Sequence, residues 1–389
     1  MKVAFFAVTL ESGGAERHLL QLAQYWPLPR KDLEIVLLER RGVWLSQVPE
    51  GVRVTSFSEK PPPSGALKHL WAWRQVSRVR KLFKDRGYDV VVTFLWLPTV
   101  VAALALRGLP RSNRPRLVWS VQSDLARDFR LHADGWLRRW VIQSVLPSQV
   151  ERYIAISFGI AQRTQRLLGV PKERFEIIPN SIDLERVQDL ASQREGIPPK
   201  RASLRVVSVG RLHPAKGFDL LLDALAHLRA QAPSLELEVW IVGEGPERPK
   251  LEGQIQRLGL AGWVKLAGHA ANPYAWMASA DVFVSSSRWE AFGITIVEAL
   301  AVSCPVVATA TDGARDILDH GEDGWIVPVE DPKALAEGLC RLLRDEKLRQ
   351  KLGQHGRKKA EQFDAPRIAW RYVETLQRLF EAPSLTEGL

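Results

Sequence analysis

Short, continuously apolar runs recur along the chain. In the first half they are KVAFFAV at 2–8, LEIVLLE at 33–39, DVVVTFL at 89–95, RLVWSVQ at 116–122, RYIAIS at 152–157 and FEIIPN at 175–180. Between them lie stretches with helical spacing, such as 16–26 and 67–85. Strands that are apolar throughout, rather than alternating, belong to sheets covered on both faces, so the pattern predicts a doubly wound parallel sheet. The series breaks over 180–205, where polar residues and a Pro-Pro pair intervene, and then resumes with LRVVSVG, LEVWIVG, VKLAG, DVFVSSS, PVVAT and GWIVP. The expectation is an α/β chain of two Rossmann-like doubly wound domains facing across a central cleft. Their bounds are 1–185 and 186–365, with a final helix of about 366–389 that could pack back on the first. Ligands in such sheets bind at the carboxyl ends of the strands, which is where chemistry is sought.

Length agrees with this division, because 389 residues exceed what one ordinary core organises. The uncharged run at 90–106 is at the lower limit for spanning a membrane. Its β-branched start, Pro98 and Ala/Leu end read instead as a buried strand, a turn and a helix. The first run stops at Glu11 without a small-residue cleavage site and reads as a strand rather than a signal peptide. Two cysteines, Cys304 and Cys340, make neither a disulfide framework nor a metal cluster, which fits a reducing, cytoplasmic compartment.

Charge is unevenly distributed. Residues 1–185 hold 28 Lys+Arg against 17 Asp+Glu, whereas 186–389 hold 26 against 27, so the whole excess of +10 lies in the first half. A one-sided basic field points to an anionic partner, a membrane surface or nucleic acid. Basic residues and aromatics are interleaved at 67–87, with Trp71, Trp73, Leu82 and Phe83 among Lys68, Arg74, Arg78, Arg80, Lys81 and Lys84, and again in WLRRWVIQSVL at 136–146. That combination suits an anionic membrane surface.

Four strand-to-helix loops carry candidate chemistry. ESGGAER places Gly13 and Gly14 where a strand turns into a helix whose N-terminus offers amides to an anion. SVGRLHPAKGF places Arg211 and Lys216 on one loop after Gly210, a spacing suited to clamping a diphosphate. IVGEGP brings Gly243 and Gly245 to a third strand end, allowing close backbone approach. SSRWEAFGITIVEALA puts Glu290 in a loop and Glu298 inside the following helix. The two carboxylates can both face the cleft, one at its mouth and one deeper.

Together GGAER, GR-x4-KG, G-x-GP and E-x-F-G-x4-E resemble the retaining glycosyltransferases of family 4, of GT-B fold, over nearly the whole chain. The resemblance implies that Arg211 and Lys216 hold the donor diphosphate, Glu298 the ribose hydroxyls, and Glu290 a place beside the donor sugar and reacting centre. It implies that the backbone of Phe292, Gly293 and Ile294 meets sugar and phosphate, and that Gly14 approaches the diphosphate from the other domain. The expected reaction moves a hexose or N-acetylhexosamine from a nucleotide sugar to a lipid-linked or glycan acceptor at the inner membrane face. UDP is favoured over GDP from the similarity of SGGAER to polysaccharide-building relatives. No Asp-x-Asp triplet occurs, and neither a metal nor a cofactor is expected.

The chain departs from the family pattern in two places. Gln122, with Asp124 nearby, stands about where relatives carry a histidine near the donor sugar, making both candidates for a sugar or acceptor contact. Ser303 and Cys304 stand where relatives commonly have a glycine pair or Gly-Leu. The rival readings are a phosphorylase or sugar-nucleotide epimerase of the same architecture and a non-catalytic nucleic-acid binder. The first lacks its extended cofactor-lysine motif here, epimerases do not share the spacing of Glu290 and Glu298, and a nucleic-acid partner is not expected of a chain with this set intact.

Overall fold

The computed structural model describes residues 1–11, 13–59, 67–130 and 133–381; the side chains of 67–70 and 72 are also outside the description. Ser12 of the SGGAER motif, the Lys68 side chain and 382–389 of the expected final helix therefore lie outside it. The chain divides into two compact units, Met1–Ser181 with the chain from Ala365 onward, and Ile182–Asp364. Residues 182–185 group with the second unit. There the Ile182 amide donates to the Phe363 carbonyl at 2.9 Å and the Leu184 amide to the Asp364 carboxylate at 3.3 Å.

The first unit is built on seven strands: β1 (Val3–Ala7), β2 (Leu33–Leu37), β3 (Arg53–Ser56), β4 (Val90–Phe94), β5 (Arg116–Val121), β6 (Val150–Ala155) and β7 (Phe175–Ile177). They form one sheet in the order β3-β2-β1-β4-β5-β6-β7, every pairing parallel. Strands β1, β2 and β4 are buried along their whole length, as their unbroken apolar sequences require. The edge strand β3, RVTS, was not among the predicted runs, because it is short and only partly covered.

The 90–106 run divides into β4 and the helix Trp96–Arg107, joined by Leu95 at φ 68°. Among the described residues, no helix is long and apolar enough to cross a membrane. The helix Ala365–Glu381 completes the core of the first unit. Its Ile368, Tyr372, Val373 and Leu376 are fully buried in one cluster with Phe5, Leu19, Leu22 and Val92.

The second unit repeats the plan with β8 (Leu204–Val209), β9 (Leu237–Val242), β10 (Val264–Gly268), β11 (Val282–Ser285), β12 (Val306–Thr309) and β13 (Trp325–Val327). Their order is β10-β9-β8-β11-β12-β13, again all parallel. Chain direction across each sheet reverses at one place, between β1 and β4 in the first unit and between β8 and β11 in the second. At such a switch point the loops leaving two adjacent strands diverge and open a crevice at their carboxyl ends.

Candidate active site

In the second unit the loops after β8 and β11 meet at the switch point. The first contains a short 3-10 turn, Pro214–Lys216, with the His213 ring nitrogen accepting from the Ala215 amide at 3.2 Å. Gly217 then turns left-handed at φ 60°, and a Cβ there would strike the Ser286 carbonyl of the second loop. Ser286 Oγ donates to the Lys216 carbonyl at 3.0 Å, and the Arg288 amide to the Ala215 carbonyl at 2.8 Å. The Arg288 guanidinium grips both oxygens of Asp219, at 2.6 and 2.7 Å. Burial pushes the Asp219 carboxyl up, but the hydrogen bonds and charge of Arg288 outweigh it and hold the group below the usual carboxylate range.

This bracing holds the predicted residues in register. Lys216 Nζ donates to both oxygens of Glu290, at 2.9 and 2.7 Å, and Ser287 Oγ donates to Glu290 Oε2 at 3.0 Å. Both charged side chains keep about a fifth of their surface open, 21% and 18%, so the pair can still be reached by a ligand. Arg211 is exposed and has no hydrogen-bond or ion-pair partner among the described residues. An exposed cation left unmatched at a strand end is suited to an anion.

Glu298 lies deeper. It sits on the helix Ile294–Ala301, is 3% exposed, and accepts a hydrogen bond from Tyr274 Oη at 3.3 Å. The helix starts at Gly293, which is left-handed at φ 98°, and helix geometry leaves the first amides, Ile294 and Thr295, without intrahelical acceptors. Phe292 turns its ring into the core, 5.8 Å from that of Phe363, while its carbonyl lies against Gly313, where a Cβ would collide with it. The close approach at Gly243 is to protein: its amide donates to the Gly268 carbonyl at 2.8 Å, and a Cβ there would strike the carbonyl of Gly210.

In the first unit, Gly13 precedes the helix Gly14–Gln24 with no side-chain cap. The carboxylate of Glu16 folds over Gly13, where a Cβ would collide with it. Burial pushes the Glu16 carboxyl up, opposed by a hydrogen bond from its own amide, so this helix start already has a carboxylate beside it. The side of Gly14 from which a Cβ would project is open. Gln122 follows β5 and is nine-tenths buried; its Nε2 donates to Ser120 Oγ at 2.8 Å and its Oε1 has no partner. Ser120 Oγ lies 2.8 Å from Tyr372 Oη, which is 3.1 Å from His18 Nε2. Asp124 pairs with Arg163 at 2.8 Å and caps the Arg127 amide at 3.2 Å, so its oxygens serve local structure.

Sequence reading missed Arg288, Asp219, Ser287 and Tyr274. Arg288 and Ser287 lie inside the motif that carries Glu290, and Asp219 opens the helix after Lys216. Tyr274 gave no signal, being one aromatic in a six-residue helix, Pro273–Ala278. Of the surface aromatics, Trp73, Trp136 and Trp140 stand out at 65%, 74% and 62% exposure, whereas Phe83 faces the core. Among the described residues, no group of three or more His, Cys, Asp or Glu is placed to hold a metal ion.

Two family models match in series: Glycosyltransferase Family 4 over residues 12–186 and Glycosyl transferases group 1 over 190–359. The chain is 29% identical over 369 residues to the Campylobacter jejuni N-acetylgalactosamine-N,N'-diacetylbacillosaminyl-diphospho-undecaprenol 4-alpha-N-acetylgalactosaminyltransferase, covering 95% of this chain and 97% of that protein. It is 30% identical to the phosphatidyl-myo-inositol mannosyltransferase of Mycobacterium leprae, covering 95% and 93%. The crystal structure of Anabaena HepE in complex with UDP superposes with a TM-score of 0.80 at 25% identity, over 97% of this chain and all of that one. HepE has also been solved with UDP-glucose, with a TM-score of 0.78.

Proposed function

Because the chain belongs to the family 4 glycosyltransferases of the GT-B fold, we propose that it moves a hexose or N-acetylhexosamine, with retention, from a UDP-sugar to a lipid-linked or polysaccharide-precursor acceptor. The observation that carries this reading is the joining of the β8 and β11 loops by Lys216 and Glu290, with Arg211 exposed and unmatched on the first of those loops. Arg211 and Lys216 take the donor diphosphate and offset the charge that grows on it as the bond to the sugar breaks. Glu298, held by Tyr274, accepts hydrogen bonds from the ribose hydroxyls. Glu290 lies beside the sugar, as an electrostatic and positioning group.

In this reading the acceptor attacks from the face that the nucleotide leaves. The leaving phosphate oxygen takes the acceptor's proton, so no separate base is required on the chain. These two cations do the work that a divalent ion does elsewhere, which supports a metal-independent reaction. The preference for UDP is supported by the HepE complexes with UDP and UDP-glucose. A lipid-linked acceptor is supported by the Campylobacter and Mycobacterium relatives, whose names carry diphospho-undecaprenol and phosphatidyl-myo-inositol. Docking at the inner membrane face falls to the exposed Trp73, Trp136 and Trp140, with Arg74 and Arg139 beside them.

Calorimetric titration of UDP, GDP and ADP with EDTA present, into wild type and Arg211→Ala, tests the proposal. UDP is expected to bind wild type without metal and at least tenfold more weakly to the variant, about 1.4 kcal/mol. Folded wild type that binds none of the three would overturn it.

A further inference from the structure

Helices Leu67–Arg86, Trp96–Arg107 and Gly135–Val145 of the first unit enclose a groove of about 210 Å³. Its walls include Trp73, Val76, Trp96, Val100, Leu104 and Val141, and among the described side chains that line it only Arg138 is charged. That guanidinium is turned to Asp134 at 2.9 Å and lies 5.4 Å from the centre of the Trp96 ring. A sugar or nucleotide placed here would lose water from its hydroxyls and find almost no partner in return. A hydrocarbon would lose nothing. A space of this size takes a length of hydrocarbon chain rather than a whole lipid.

The position of the groove selects which hydrocarbon. At its surface end Trp73 is 65% exposed, and Arg74 and Arg139 are exposed beside groove residues, so the mouth is suited to lie against an anionic bilayer. At its other end Trp96 opens the helix at the carboxyl end of β4 and meets Phe129 edge-on at 5.9 Å, on the segment that follows Gln122. The turn before Trp96 is strained. Leu95 sits at φ 68°, ψ 165°, a region that glycine alone adopts freely. It is held there by Thr99 Oγ1, which donates to the Leu95 carbonyl at 2.7 Å and lies 2.8 Å from Thr93 Oγ1.

We propose that this groove binds the hydrocarbon chain of the lipid-linked acceptor, drawing its head-proximal carbons out of the bilayer so that the phosphate-bearing head reaches the carboxyl edge of the first sheet. The proposal rests on the transferase reading above and adds the place where the acceptor's lipid is recognised.

The test uses the full chain, with farnesyl diphosphate below its micelle concentration and inorganic pyrophosphate as probes in calorimetry. Wild type is expected to bind farnesyl diphosphate at least tenfold more tightly than pyrophosphate. Leu104→Trp and, independently, Val141→Trp fill the groove and are expected to bring that ratio below threefold, with UDP affinity and the thermal transition unchanged. A ratio that stays at its wild-type value in a folded variant overturns the proposal. So does loss of binding to phosphatidylglycerol vesicles with farnesyl diphosphate binding intact, which would make the groove a seat for bulk lipid. Absence of nucleotide binding in every protein, with the ratio and its response to both variants as expected, would overturn the transferase reading and leave the chain site standing.

Discussion

Lys216 Nζ donates to both carboxylate oxygens of Glu290, at 2.9 and 2.7 Å, although the two residues are 74 positions apart and leave different strands. In the proposed reaction the pair divides the work between donor phosphate and donor sugar, and that division can be measured. Glu290→Gln is expected to lower kcat/KM by one to two orders of magnitude, about 1.5–3 kcal/mol for a charged hydrogen-bond partner, with UDP affinity within threefold of wild type. Lys216→Met is expected to weaken UDP itself by tenfold or more. Equal loss of UDP affinity in the two variants would refute the division.

Metal independence and stereochemistry are read in one reaction. Turnover with a UDP-sugar is expected to survive excess EDTA, and proton NMR of the first product is expected to give the anomeric configuration of the donor. Turnover abolished by EDTA and restored by a divalent ion would contradict the role given to Arg211 and Lys216.

His18 makes folding sensitive to acid. Its ring is fully buried, which pushes its pKa down to about 3, so it is neutral in the folded protein while the unfolded chain takes up a proton near pH 6.5. The folded-state value is depressed, the unfolded state therefore binds more protons between these limits, and stability falls as pH drops through that window. From pH 7 to 5 the loss is about 2 kcal/mol. Urea midpoints at the two pH values report it, and in His18→Phe the difference is expected to shrink by most of that amount.

Ser303 occupies a left-handed conformation, φ 60°, just past the helix Ile294–Ala301. This gives a physical reason for the glycine that the family resemblance leads one to expect near this position. A non-glycine residue there costs about 1–2 kcal/mol, and glycine returns part of the difference through the greater freedom of its unfolded chain. Ser303→Gly is expected to raise stability by on the order of 0.5–1 kcal/mol, read from urea unfolding. A lowered midpoint would refute this.

Docking to lipid is a salt-dependent expectation. Wild type is expected to sediment with phosphatidylglycerol vesicles and not with phosphatidylcholine ones, and to be released by salt, each cation near the surface contributing about 1 kcal/mol. Replacing Trp136 and Trp140 together by Ser is expected to reduce the bound fraction severalfold without loss of UDP binding. Retention of full vesicle binding by the double variant would remove these residues from the docking face.

What was legible in the sequence is what a single strand or loop carries. Buried parallel strands announce themselves as unbroken apolar runs, and β8 and β11 each end in a loop whose Gly, Arg, Lys and Glu residues are unusual beside apolar neighbours. Strand β3 escaped because four half-covered residues leave no period to detect. The bracing of Glu298 by Tyr274 and of Asp219 by Arg288 joins residues 24 and 69 positions apart, and local periodicity holds no record of such pairs. Gln122 was legible as a residue after a strand. Its anchoring was not, since the hydrogen bond between Ser120 and Tyr372 joins positions 252 residues apart. The apolar groove is likewise a property of three helices together.

The burial of Ile368, Tyr372 and Leu376 beneath the first sheet also orders events during synthesis. A ribosome that has just made Ser181 has delivered every strand of that sheet but not the helix that closes its core. At roughly 5–20 residues per second, the 183 residues of Ile182–Asp364 take about ten to forty seconds more. For that interval Phe5, Leu19 and Leu22 stand without their cover, while the second unit emerges whole and is free to fold. The nascent chain thus passes through a stage in which its later domain is complete and its earlier one is not, and in which chaperones have an apolar surface to hold.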